Sequence, residues 1–109
     1  MIQSAIKKII RLNKDEIKTP IEVMVKLQEE CGELAAEMLR SIGRKGSNGD
    51  SKKITKLKVL EEACDVIITA TSIIEKFGFN DCDMARMIKK KCNKWKLNQK
   101  KYKQWETQI

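Results

Sequence analysis

Between Lys53 and Phe77 the chain places apolar residues on nearly every side of a helix. Leu57, Leu60, Ala63, Ile67, Ala70 and Ile74 recur at helical spacing and make one face, and Val66, Ile68 and Ile73 widen it until it almost encircles the axis. A helix of that kind is expected to be buried on more than one side. At its middle stand Glu61, Glu62 and Asp65. Charges in the most apolar segment need a reason, because buried charge must be paired or coordinate a metal.

The remaining segments supply helical partners. Ile2, Ala5, Ile6 and Ile9, with Lys7, Lys8 and Arg11 between them, predict a short amphipathic helix ending near Asn13. Thr19-Pro20-Ile21-Glu22 combines an N-cap threonine, a proline at the first helical position and a glutamate at the third, the pattern of a capping box. From there Met24, Leu27, Cys31, Leu34, Met38 and Ile42 form an apolar stripe. The run from Gly43 to Ser51 is rich in turn formers and reads as a connector. Gly78 is a natural C-terminal cap for the third helix. Asn80, supported by Asp83, opens a fourth that continues through Met84, Ile88, Trp95 and Tyr102 toward Trp105. One proline and five glycines in 109 residues agree with long helices rather than a turn-rich β fold. The expectation is one all-α domain over residues 1–109, a four-helix bundle small enough that oligomerisation is expected to complete it.

A second acidic cluster, Glu29-Glu30-Cys31-Gly32-Glu33, precedes the one at Glu61-Glu62-Ala63-Cys64-Asp65. Residues three apart on a helix lie on nearly the same face, with Cβ atoms about 5–6 Å apart, so Glu30 with Glu33 and Glu62 with Asp65 are two short chelating arms. On the second helix Glu30 and Glu33 lie roughly 60–130° from the centre of the apolar stripe and so border the core. Side by side, the arms bring four carboxylates together, which calls for a cation. All-oxygen ligands suit Mg²⁺, Mn²⁺ or Ca²⁺. A di-iron bundle site uses Glu-x-x-His arms, and the chain contains no histidine. The plainer alternative for a single cluster is a solvated helix face, with Glu30 paired to Lys26 four residues earlier.

The formal charge is +8, and eight lysines fall between Lys89 and Lys103. Such a run is first of all a solvated face of the last helix, and it is also suited to phosphate. Cys31, Cys64, Cys82 and Cys92 show no Cys-x-x-Cys spacing, and the sequence shows no secretory signal. Reduced thiols and a cytoplasmic location are expected. No apolar run approaches the ~20 residues that span a bilayer, so no membrane is expected as a partner.

The order Glu-Glu-x-x-Glu, then Glu-x-x-Asp on the next helix, resembles the signature of the all-α nucleoside triphosphate pyrophosphohydrolases, the MazG-like superfamily related to dimeric dUTPases and dCTP pyrophosphatases. It is carried here by Glu29, Glu30 and Glu33 and by Glu62 and Asp65, separated by a long spacer, residues 34–61. The resemblance implies a four-helix subunit that assembles as a homodimer or homotetramer. It also implies Mg²⁺, with Mn²⁺ as substitute, and hydrolysis of a nucleoside triphosphate to monophosphate and pyrophosphate. Glu30, Glu33, Glu62 and Asp65 are then the metal ligands, Glu30 also serving catalysis, and Glu29 is a further ligand or the general base. Relatives place a basic residue and an asparagine on the last helix toward the phosphates, which corresponds here to Lys94, Asn98 and Lys101. Two other classes compete: a basic helical nucleic-acid-binding protein, which the acidic clusters make unlike the expected case, and a protein-interaction module docking through the third helix.

Overall fold

The computed structural model describes residues 1–43 and 52–108, and every regular element in them is helical. The helices are α1 (Ile2–Asn13), α2 (Pro20–Ser41), α3 (Lys52–Lys76) and α4 (Asp81–Thr107). The connector expected after Gly43 lies outside the described residues. The chain divides into two compact units, Met1–Gly78 and Phe79–Ile109.

Local chemistry sets the helix ends. The Thr19 hydroxyl accepts from the Glu22 backbone N–H at 3.2 Å, while the Glu22 carboxylate accepts from the Thr19 N–H at 3.4 Å, and Pro20 occupies the first turn. The box thereby satisfies N–H groups that have no partner inside the helix. Asn80 and Asp83 repeat the arrangement at the start of α4, at 2.9 and 3.1 Å. Arg86 then donates to Asp83 at 2.6 Å. The Asn80 backbone N–H and the Arg86 guanidinium hold the Asp83 carboxyl below its usual range. Gly78 ends α3 with φ of 83°, a left-handed conformation that costs glycine little.

In the first unit α2 and α1 both pack on α3. The α2–α3 pair runs antiparallel: Val23 and Lys26 share a cavity with Ile68, Thr69 and Ser72, whereas Glu33 faces Glu62. Lys76 Nζ donates to the Glu16 carbonyl at 3.2 Å and ties the end of α3 to the α1–α2 connection.

The interior corrects one expectation. Along α2 the inward residues are Val23, Leu27, Glu30, Leu34 and Glu37, while Met24, Cys31, Met38 and Ile42 of the expected stripe are exposed. The helix is thus turned by roughly 60° at 100° per residue, and Glu30 enters the α2–α3 seam instead of bordering it. The physical reason is that the seam is polar on both sides. Val23, 3% exposed, is the one buried hydrophobic residue among the described residues, and the other buried residues are Asn13, Glu30, Thr55, Thr69, Thr71 and Ser72. α3 is packed by both α1 and α2, while Leu57, Leu60, Cys64 and Ile67 share an exposed side. Its buried hydroxyls are satisfied locally: Thr69, Thr71 and Ser72 each donate to the carbonyl four residues earlier, at 2.7, 2.8 and 2.9 Å.

The second unit is the capped helix α4. None of its residues is buried, and Trp95, Leu97, Tyr102 and Trp105 are all exposed.

Candidate metal centre

Antiparallel packing brings the two acidic arms together. Carboxylate oxygens of Glu30, Glu62 and Asp65 lie within 4.8 Å of one another. Glu30 is 6% exposed, and its Oε2 and the Oε2 of Glu62 are buried with no hydrogen-bond partner. Buried acceptors are normally satisfied, and an orphaned carboxylate oxygen carries a large desolvation cost. The 4.8 Å limit on their separation is of the order of the span across one divalent ion's coordination sphere, ~4.2 Å for Mg²⁺ and ~5 Å for Ca²⁺. The donor set and its unpartnered oxygens therefore fit a hard cation.

The electrostatics point the same way. Glu62 is pushed above its ordinary 4.5, first by burial, then by the charge of Glu33 and a hydrogen bond with it, and then by the charges of Asp65 and Glu30. Glu33 stands against Glu62 on the exposed side of the cluster. Glu29 is elsewhere: its side chain is 56% exposed and lies 3.6 Å from Lys26. The Lys26 ammonium also sits 3.1 Å from Glu30 Oε1, the pairing its position one turn earlier suggests. The Lys26 ammonium is raised above its ordinary 10.5, chiefly by its hydrogen bond to Glu30, with the Glu29 charge next. Glu61, the remaining acid of the second cluster, is exposed and outside the group.

Lys94, Asn98 and Lys101 occupy α4 in the second unit, all three exposed. Asn98 and Lys101 line a shallow hollow with Tyr102 and Trp105 on one face of that helix. The residues that sequence reasoning missed are Asn13, Thr69 and Ser72, which line a cavity of about 230 Å³ running up to Glu30 and Asp65. The available signal was Thr69-Ala70-Thr71-Ser72, a cluster of hydroxyls inside an otherwise apolar helix.

Comparison of the chain with protein-family models, with curated proteins and with solved structures finds no match. Among the described residues no helix is long and apolar enough to cross a membrane.

Proposed function

We propose that the protein is a Mg²⁺-dependent nucleoside triphosphate pyrophosphohydrolase that converts a nucleotide to its monophosphate and pyrophosphate, in the service of nucleotide-pool housecleaning. The observation that carries this reading is the meeting of Glu30, Glu62 and Asp65 from consecutive helices, with two buried oxygens left without partners. A bound divalent ion supplies Lewis acidity toward phosphoryl oxygens and a more acidic water. The chain's own part is to fix the carboxylates. Glu30 and Asp65 project from facing helices, Glu62 joins them, and Glu33 next to Glu62 completes the set of four. Glu29, which pairs with Lys26 outside the cluster, is proposed as a further ligand or as the general base that takes the proton of the attacking water. Lys94, Asn98 and Lys101 are the proposed phosphate contacts, acting by fixed charge and hydrogen bonding on the leaving pyrophosphate.

The exposed apolar residues Leu57, Leu60 and Ile67 of α3, and Met24 and Met38 of α2, support assembly of the chain as a homodimer or homotetramer. The test of the activity is incubation with each canonical and modified nucleoside triphosphate and Mg²⁺, with pyrophosphate measured. If none releases pyrophosphate, and Glu62→Gln leaves Mg²⁺ binding unchanged, the proposal is lost.

A second reading, nucleic-acid binding without catalysis, is favoured by one observation: on α4 the exposed aromatics Trp95, Tyr102 and Trp105 alternate with lysines. It predicts filter binding of single-stranded nucleic acid that weakens steeply with salt.

A further inference from the structure

The most basic stretch of the chain also carries its exposed aromatic rings. From Met84 to Trp105, α4 holds nine basic residues and no acidic one. Trp95, Tyr102 and Trp105 stand in that stretch, 64%, 60% and 63% exposed. They are both tryptophans of the chain and its one tyrosine.

Helical geometry gathers them on one strip. At 100° per residue Trp95, Asn98, Tyr102 and Trp105 fall within an arc of about 80°, and the rise from Trp95 to Trp105 is about 15 Å. Asn98, Tyr102 and Trp105 line a shared hollow with Lys101. By the same count Lys91 lies inside the arc, one turn before Trp95, and Lys94 and Lys101 follow its edge. Flat rings, an amide able to donate and accept, and ammonium groups therefore share one face of one helix.

The charge of the strip decides what covers it. A second copy of the same strip would set lysine against lysine with no acid to pair, an unfavourable like-charge contact. A lipid surface would draw the face among acyl chains, enclosing Lys91 and Asn98 at its middle without partners. Duplex nucleic acid offers phosphates, but its bases stack on one another and hide their faces. A single strand offers both phosphates and free base faces.

We propose that this face of α4 binds single-stranded nucleic acid, with bases stacked on Trp95, Tyr102 and Trp105 and backbone phosphates on Lys91, Lys94 and Lys101. This rests on the nucleic-acid reading of α4 given above, and it holds whether or not the carboxylates hydrolyse a nucleotide. Lys94, Asn98 and Lys101 suit a triphosphate and a strand alike, since both present phosphate oxygens.

Both tryptophans lie on the strip, so intrinsic fluorescence of the full chain reports on this face alone. The chain is titrated with oligo(dT) of about 15 nucleotides, with a duplex of the same length, and with phosphatidylglycerol vesicles. The expected result is quenching of tryptophan emission by the single strand, with affinity at least about tenfold above that for the duplex and falling with salt. Tyr102→Ala, which keeps both reporters, weakens binding of the strand by at least about fivefold, as do Trp95→Ala and Trp105→Ala read by anisotropy of a labelled strand. Trp105→Phe, which keeps a ring, stays within about threefold of the parent. Equal affinity for the duplex, binding without quenching, or affinity that survives loss of the rings keeps nucleic-acid binding and overturns the stacking strip. Binding of neither nucleic acid overturns both. A fluorescence change with the vesicles and none with the strand assigns the face to lipid and overturns the proposal.

Discussion

The Lys26 ammonium lies 3.1 Å from Glu30 Oε1, while the other oxygen of the same carboxylate is buried and unpartnered. One carboxylate thus faces a flexible cation on one side and the acidic cluster on the other. A divalent ion in the cluster and Lys26 compete for the charge of Glu30.

Lys26→Met is therefore expected to strengthen Mg²⁺ binding by about fivefold, because the competing charge is removed while the aliphatic stem is kept. Calorimetric titration with MgCl₂ checks this. Weaker binding in the variant would instead assign Lys26 to holding Glu30 in its ligating position.

The raised pKa of Glu62 sets a pH dependence. A carboxyl whose folded pKa lies above its unfolded value of 4.5 favours the folded state when protonated, and that contribution is lost as pH rises through the folded value. In EDTA the protein is expected to melt at higher temperature as pH falls from neutral toward 4.5. Asp83 is lowered from 3.8, so its opposing loss occurs only in stronger acid, outside this window. Glu62→Gln is expected to remove the pH response, to melt higher than the parent in EDTA at neutral pH, and to gain no stability from Mg²⁺. Its pyrophosphate release is expected to fall by at least about a hundredfold, as for loss of a principal electrostatic group.

Glu33→Gln tests the interaction between the two arms. Removal of its charge lowers the Glu62 pKa, so the acid limb of the pH–rate profile should move to lower pH, with activity down about tenfold and the fold retained. Circular dichroism melts without metal should show the variant at or above the parent. Marked unfolding would mark Glu33 as a structural residue.

The two capping boxes give a control that leaves every carboxylate of the cluster in place. Thr19→Ala and Asn80→Ala should each cost about 1 kcal/mol, measured by urea denaturation, since each leaves an N-terminal N–H group without its acceptor. Asn80→Ala should leave the Mg²⁺ affinity unchanged, because Asn80 is not among the carboxylates that meet.

The helix boundaries were legible because they depend on neighbours in sequence. Thr19 with Glu22, Gly78, and Asn80 with Asp83 all perform the roles their residue types and spacing predict. The juxtaposition of Glu30 with Glu62 and Asp65 was legible too, because a three-residue spacing on consecutive helices leaves few ways to pack them. The rotation of α2 was not. Counting apolar residues favoured the Met24–Met38 side, but Glu30 and Glu37 turn inward together with Val23, and no hydrophobicity pattern registers a polar seam. The cavity was hidden for a related reason: Asn13 and Ser72 are 59 positions apart in sequence, and each alone reads as an ordinary helix residue.

All four cysteines are exposed as free thiols, and Cys31 and Cys64 lie among the uncovered apolar residues of α2 and α3. Those two sulfurs are built-in reporters. A colourimetric thiol reagent should count four groups on an isolated chain and fewer once a second copy shields these surfaces, so quaternary structure can be followed by reaction stoichiometry alone.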